Sequence, residues 1–123
     1  MLVHGYGGTG TEFYYLLPYL ALNFRVIVFD MIGGGSSSRP IWDKKNGTEA
    51  DEYFVRILEN WRIEMGNLTD FYIAAHSYGG YLMGTYASRY TQHIRKLLLL
   101  SPFGLKARPE NFGSVARDDW FDS

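Results

Sequence analysis

The 123-residue chain contains no cysteine, so disulfide bonds and thiol catalysis are excluded. It has no apolar run near the roughly 18–20 residues that span a bilayer. Its first residues do not show a basic segment followed by an apolar stretch, and we therefore expect a cytoplasmic rather than a secreted protein. A strong charge of either sign is also lacking. The formal net charge of -1 gives no general electrostatic case for nucleic acid as a partner.

The composition is that of one folded domain. Hydrophobic residues make up 46% of the chain and charged residues 20%, proportions typical of a globular protein rather than a disordered one. Only Met1, Leu2 and Val3 precede the first glycine-rich loop, whereas an average strand has about 5–6 residues. We therefore expect the chain to be a fragment of a longer protein. The sequence leaves the oligomeric state open.

Apolar patterns divide the chain into alternating strands and helices. Nearly continuous apolar runs predict buried strands at residues 24–30, 71–76 and 94–101. Apolar side chains at helical spacing predict helices over residues 11–22, 48–65 and 81–90. Pro18 interrupts the first of these helices, and Thr48 is expected to cap the second. Strands that alternate with helices form a parallel sheet with helices on both faces, so the predicted fold class is α/β.

The loop HGYGGTG, residues 4–10, has two interpretations. Gly5, Gly7 and Gly10 spell G-x-G-x-x-G, the pattern that carries a dinucleotide pyrophosphate at a helix N-terminus. Asp30 follows Gly10 by 20 residues at the end of the next predicted strand, where a carboxylate that binds ribose is expected. On this interpretation the chain is an NAD(P)-binding oxidoreductase. Alternatively, the backbone N–H groups of the loop stabilise an oxyanion during acyl transfer.

A serine at a tight turn favours the second interpretation. Ser77 follows a predicted strand and precedes a predicted helix, and the small residues Ala75 and Gly79 lie two positions before and after it. This is the G-x-S-x-G nucleophile elbow with alanine in the first position. Both loops follow strands of a parallel sheet, so they share one edge of that sheet. A dinucleotide site does not account for the elbow, although Ser77 as an ordinary turn residue stays an alternative.

Several segments together resemble the α/β-hydrolase fold superfamily over most of the chain. HGYGG resembles its oxyanion loop, and HSYGG at residues 76–80 resembles its elbow. DMIGGGSSSRP at residues 30–40 resembles the D-x-x-G-x-G-x-S-x-x-P segment, and LLLLSPFG at 97–104 resembles the sixth strand and the loop into the cap. The resemblance implies a truncated core, about strands 3 to 6, at residues 1–101. It also implies the irregular start of a cap or lid at residues 102–123.

A narrower resemblance comes from Ser101–Leu105 together with Arg108 and Pro109. These residues resemble a lipid-metabolising subgroup, related to N-acyl-phospholipid lipases and lipid-droplet lipase coactivators. The resemblance implies a small-molecule acyl or lipid substrate, contact with a membrane or lipid-droplet surface, and no cofactor or metal. Coactivators of the subgroup can lack the nucleophilic serine, whereas this chain has Ser77, which favours an active enzyme.

The resemblance also implies a role for residues of the two loops. Ser77 is the nucleophile that forms an acyl-enzyme with an ester or lipid substrate. The backbone N–H groups of Tyr6 and Tyr78 hold the oxyanion. The residues that support the two loops are His4, Gly5, Gly7, Gly8, His76, Gly79 and Gly80.

The chain lacks partners for Ser77, because this superfamily places an Asp or Glu and then a His after the nucleophile. His4 and His76 adjoin the backbone turns and are interpreted as structural, and His93 is interpreted as a surface residue. The carboxylates of the tail are interpreted as solvated charges: Glu110, Asp118, Asp119 and Asp122. We therefore expect a catalytically incomplete serine hydrolase. The alternative is a non-catalytic regulator of the same fold that binds a lipid or a partner.

Overall fold

A computed structural model describes residues 1–104, which form a three-stranded parallel sheet with its helices. Strand β1 (Leu2–Val3) pairs with β2 (Phe71–His76), which in turn pairs with β3 (Ile94–Leu100). The α/β class is therefore confirmed, as are the strands expected at residues 71–76 and 94–101. The expected cap region lies outside the described residues, apart from Pro102, Phe103 and Gly104.

The first helical segment differs from its prediction. A 3₁₀ helix (Gly10–Leu16) leads into a single α-helical turn, α1 (Leu17–Leu20), in place of one helix over residues 11–22. Pro18 lies in the first turn of α1, where its missing N–H costs no helical hydrogen bond. The proline therefore starts a short helix instead of interrupting a long one.

The later helices are α2 (Gly47–Glu64) and α3 (Ser77–Arg89), and a 3₁₀ turn (Thr91–His93) precedes β3. Asn46, not Thr48, caps α2. Its side chain accepts the Glu49 N–H at 3.0 Å and donates to the Glu49 carboxylate at 2.9 Å, so the two residues fix the start of the helix.

The start of α3 also differs from the prediction. The helix begins at Ser77 rather than at Tyr81, so the serine of the elbow is itself the first helical residue.

Residues 24–30 do not form the predicted strand. A single bridge joins Leu2 to Val28, and the Leu2 N–H donates to the Ile27 carbonyl at 2.9 Å. Because β1 is only 2 residues long, it cannot extend this pairing into a ladder. The expected burial on both faces is also wrong, since Phe24 is 52% exposed.

The hydrophobic core lies on one face of the sheet. Helix α3 packs on this face, and α2 packs on α3. The buried core residues are Val3, Met31, Val55, Leu58, Ile73, Ala75, Leu82, Met83 and Tyr86. Within residues 1–104, no helix is long and apolar enough to span a membrane.

Candidate active site

Ser77 occupies a strained turn between β2 and α3. Its φ of 51° lies in the left-handed region, which costs a non-glycine residue on the order of 1–3 kcal/mol and persists only where the surroundings hold it. The Ser77 carbonyl accepts the Phe103 N–H at 3.0 Å, so the segment after β3 helps to hold the turn. The strand, turn and helix provide the context that a nucleophile elbow requires.

Glycines allow this elbow to approach the loop after β1. A Cβ atom at Gly5 would lie 3.1 Å from Ser77 Cβ and 3.6 Å from Ser77 Oγ. A Cβ atom at Gly79 would overlap the His4 carbonyl oxygen, and one at Gly80 would lie 2.9 Å from Pro102 Cβ. The two glycine-rich segments therefore meet at the same edge of the sheet.

His4 is buried, with 2% of its surface exposed, and its ring links two loops. Nδ1 donates to the Gly5 carbonyl at 2.8 Å, and Nε2 accepts the Met31 N–H at 2.9 Å. A backbone amide can only donate, so these two bonds together require the neutral ring with its proton on Nδ1. Both ring nitrogens are occupied, and His4 is not available as a general base for Ser77.

Backbone N–H groups from both loops are open at their junction. The Gly5 carbonyl accepts the Gly8 N–H at 3.1 Å in a turn that includes Gly7, whose φ is 70°. Because the peptide unit is planar and trans, the Tyr6 N–H points away from the Gly5 carbonyl, and it makes no hydrogen bond with residues 1–104. The Tyr78 N–H lies in the first turn of α3, where amides have no intrahelical acceptor. Both N–H groups can therefore donate a hydrogen bond to a ligand oxygen.

Asp30 holds two loops together. Its Oδ2 accepts the Ser36 N–H at 2.8 Å and its Oδ1 accepts the Gly10 N–H at 2.7 Å. These two bonds, first that from Ser36, hold the pKa of the Asp30 carboxyl below its usual range. The Gly10 amide and the Asp30 carboxylate are therefore bonded to each other, which leaves neither for a pyrophosphate or a ribose. This geometry argues against the dinucleotide interpretation.

No histidine among the described residues is hydrogen-bonded to Ser77 Oγ. His93 precedes β3, whereas Ser77 follows β2, and the two strands run parallel. His93 and Ser77 therefore lie at opposite edges of the sheet, roughly 20 Å apart at about 3.3 Å per residue. Its side chain is 19% exposed and Tyr90 stacks on the ring, so His93 is a half-buried residue at the surface rather than a fully exposed one. The tail carboxylates lie outside the described residues.

Two acidic residues near the elbow were not predicted from the sequence. Glu12 accepts the Gly5 N–H at 3.2 Å, and its second oxygen contacts Nδ1 of His76. Asp51 on α2 accepts the Tyr81 O–H at 2.6 Å, and this bond raises the pKa of Tyr81 to about 12. A pattern of Ser or Thr followed three positions later by Glu does mark Glu12, but no local signal marks Asp51.

Aromatic side chains extend from the elbow along α2. The Phe54 ring lies 6.3 Å from the Tyr78 ring and 5.8 Å from the Trp42 ring. Beyond Phe54 is a groove of about 250 Å³ with a lining of Ile32, Gly33, Arg39, Pro40, Trp42, Tyr53 and Phe54. An apolar surface therefore leads away from the nucleophile.

Comparisons with known proteins show the family to which the chain belongs. A family model described as the alpha/beta hydrolase fold matches residues 1–121. A probable 1-acylglycerol-3-phosphate O-acyltransferase of Oryza sativa subsp. japonica is 37% identical over 90% of this chain and 27% of its own length. The (lyso)-N-acylphosphatidylethanolamine lipase of Homo sapiens is 33% identical over 90% of this chain and 32% of its own. The chain thus spans about a third or less of these relatives, which fit the lipid-related subgroup expected from the sequence.

Solved structures show the same partial fold. A thermophilic esterase from Thermogutta terrifontis is 27% identical, with a TM-score of 0.73 over 89% of this chain and 37% of its own. A protein described as Cfl2 from Burkholderia cenocepacia is 26% identical, with a TM-score of 0.71 over 89% of this chain and 38% of its own. The described residues therefore correspond to one part of a larger hydrolase fold.

Proposed function

The chain belongs to the α/β-hydrolase fold family, and we propose that it provides the nucleophile and the oxyanion hole of an enzyme that transfers lipid acyl groups. Ser77 is the nucleophile, and the Tyr6 and Tyr78 N–H groups form the oxyanion hole. The observation that carries the proposal is the strained elbow serine packed against the Gly5 loop. A fold alone does not determine chemistry, so the proposal rests on this arrangement, which can stabilise the oxyanion of an acyl transfer.

In the proposed reaction, Ser77 Oγ attacks the carbonyl carbon of an acyl ester and loses its proton to a general base. The carbonyl electron pair moves onto oxygen, which accepts hydrogen bonds from the Tyr6 and Tyr78 amides. Collapse of this intermediate breaks the ester bond, and the leaving alkoxide oxygen takes the proton back from the general base. The neutral alcohol departs, and the acyl group remains on Ser77. Water or a second alcohol then takes the acyl group. The proposal assigns the base and its carboxylate partner to residues outside 1–104.

The proposed substrates are acyl esters of glycerophospholipids. Support comes from the relatives, whose names specify a 1-acylglycerol-3-phosphate O-acyltransferase and a (lyso)-N-acylphosphatidylethanolamine lipase. The apolar groove beyond Phe54 is suited to hydrocarbon, because its lining is largely aromatic and aliphatic. Since such substrates reside in lipid layers, the proposal includes contact with a membrane or lipid-droplet surface.

A fluorophosphonate probe applied to the full-length protein, which includes the proposed general base, tests the nucleophile. We expect covalent labelling of the peptide that contains Ser77, measured by mass spectrometry, and its loss in Ser77→Ala. Ser101→Ala is a matched control, because Ser101 also has a positive φ, 45°, at the end of a strand, and it should label like the wild type. Equal labelling of Ser77→Ala and the wild type would overturn the assignment.

A non-catalytic, lipid-binding regulator is the second candidate function. It is favoured by one observation: within residues 1–104, Ser77 Oγ has no histidine partner. This candidate predicts binding of phospholipid vesicles that is unchanged in Ser77→Ala, together with no labelling of the wild type. Labelling of Ser77 by the probe would reject it.

A further inference from the structure

Glu12 joins the two halves of the proposed site. It lies in the first turn of the 3₁₀ helix, and its Oε2 accepts the Gly5 N–H at 3.2 Å. Its Oε1 contacts Nδ1 of His76, the residue that precedes the nucleophile. The Cβ position of Gly5 lies 3.3 Å from this Nδ1 and 3.1 Å from Ser77 Cβ. One carboxylate thus contacts both the loop after β1 and the end of β2.

The Glu12 carboxylate does not make the hydrogen bond that its position in the helix predicts. Thr9 is the N-cap of the 3₁₀ helix, and Glu12 stands at the third position after it, as in a capping box. In such a box the glutamate accepts the N–H of the cap residue. Here the Glu12 carboxylate turns instead to Gly5 and His76. A capping role for the helix therefore does not explain its orientation.

The hydrogen bond from the Gly5 N–H to Glu12 restrains Gly5 on its amide side. The Gly5 carbonyl is held by the His4 ring at 2.8 Å and by the Gly8 N–H at 3.1 Å, while its N–H is held by Glu12. With both sides of Gly5 fixed, rotation about its φ and ψ is restricted. The plane of the next peptide carries the Tyr6 N–H, so the direction of that donor is fixed as well.

His76 is the second partner of Glu12. Its Nδ1 atom is buried, makes no hydrogen bond with the described residues, and contacts the Glu12 carboxylate. Because a buried polar atom without a hydrogen bond costs free energy, the contact with the carboxylate compensates in part for the burial of this nitrogen. Glu12 therefore stabilises the His76 ring directly beside the turn at Ser77.

We propose that Glu12 is a positioning residue, which holds the Gly5 peptide and the His76 ring so that the Tyr6 amide faces the nucleophile. The inference rests on the proposed function. It adds a residue that touches neither the substrate nor the reacting atoms. A misplaced oxyanion donor acts only partly, so its effect is smaller than the roughly 10²–10³-fold effect of losing a donor.

The experiment compares Glu12→Ala with the isosteric Glu12→Gln, with Glu64→Gln as a control on an exposed carboxylate of α2. The first readout is the rate constant for phosphonylation of Ser77 by the fluorophosphonate probe in the full-length protein, which includes the proposed general base. We expect about a tenfold decrease for Glu12→Ala. Glu12→Gln keeps an oxygen acceptor for the Gly5 N–H and should restore most of the rate, and Glu64→Gln should label like the wild type.

The second readout is the ¹⁵N–¹H resonance of the Gly5 amide, which does not depend on catalysis. Glu12→Ala should move this resonance and Glu12→Gln should leave it nearly in place. An unmoved Gly5 resonance in a folded Glu12→Ala protein, or labelling of that variant at the wild-type rate, would overturn the inference. If the wild type is not labelled, the proposed function fails, and the Gly5 resonance still decides whether Glu12 holds the loop.

Discussion

The two faces of the sheet differ in what covers them, although both are apolar. On the covered face, Ile73 and Ala75 lie beneath α3 with 1% and 0% of their surface exposed. On the opposite face, Tyr72 is 42% exposed and Leu98 is 58% exposed, beside a groove of about 550 Å³. Successive residues of a strand point to opposite faces, so these side chains alternate along the same strands. Apolar composition therefore does not reveal which face contributes to stability.

The candidate site depends on the covered face. Helix α3 begins at the nucleophile, and its residues Leu82 and Met83 are fully buried, each with 0% exposure. The strained φ of Ser77 costs free energy, which packing of α3 against β2 and β3 has to offset. We therefore expect substitutions on the covered face to affect the elbow, and substitutions on the open face to leave it intact.

Replacing Arg62 with alanine should have the largest effect. The Arg62 guanidinium makes two bonds to Glu59, at 2.9 and 2.8 Å, and Tyr86 of α3 donates to the same carboxylate at 2.7 Å. Without Arg62, a largely buried carboxylate loses its charge partner, and the free energy of unfolding should fall by about 4 kcal/mol. Urea titration measures it, with the exposed Arg56→Ala as control. A loss below about 1 kcal/mol would show that this pair is solvated.

Ile73→Ala should have the next largest effect. The side chain is 1% exposed at the centre of the core, so its truncation removes buried apolar surface and leaves a cavity. The expected loss is about 3 kcal/mol in the free energy of unfolding. The same variant should also label more slowly at Ser77 once denaturant begins to loosen α3. If Ile73→Ala lowered the free energy of unfolding no more than a substitution at an exposed position, the covered face would not contribute more to stability than the open face.

Local signals in the sequence predicted the elbow, whereas pairing between distant segments was not predictable. Ala75, Ser77 and Gly79 lie within one turn, so their small side chains and spacing were sufficient to identify strand, turn and helix. The segment at 24–30 has strand composition, but a strand also needs a partner, and β1 provides only 2 residues. The contact of Glu12 with His76 joins residues far apart in the chain, so no spacing rule could reveal it.

Leu98→Ala tests the open face. Because this side chain is already 58% exposed, its truncation removes little buried surface, and the expected loss is below about 1 kcal/mol. Urea titration beside Ile73→Ala gives the direct comparison, since both residues lie in the middle of paired strands. A loss as large as that of Ile73→Ala would mean that the open face is covered in solution.

The smallest expected effect is a decrease in the free energy of unfolding at acid pH, which arises from a carboxyl group on the covered side of the sheet. Arg62 lowers the pKa of the Glu59 carboxyl from its usual 4.5 by hydrogen bonding, against the opposing effect of burial. A carboxyl with a depressed pKa stabilises the folded state above its unfolded pKa, and this contribution is lost as the pH falls through the folded value. The free energy of unfolding should therefore decrease below about pH 4.5, with a slope of less than one proton. Urea titrations across this range should show the decrease in the wild type and a smaller slope in Glu59→Gln, while the exposed Glu64→Gln keeps the wild-type slope. If Glu59→Gln retains the full dependence of the free energy of unfolding on pH, other carboxyl groups cause the acid sensitivity. The pair of Arg62 and Glu59 would then not account for it.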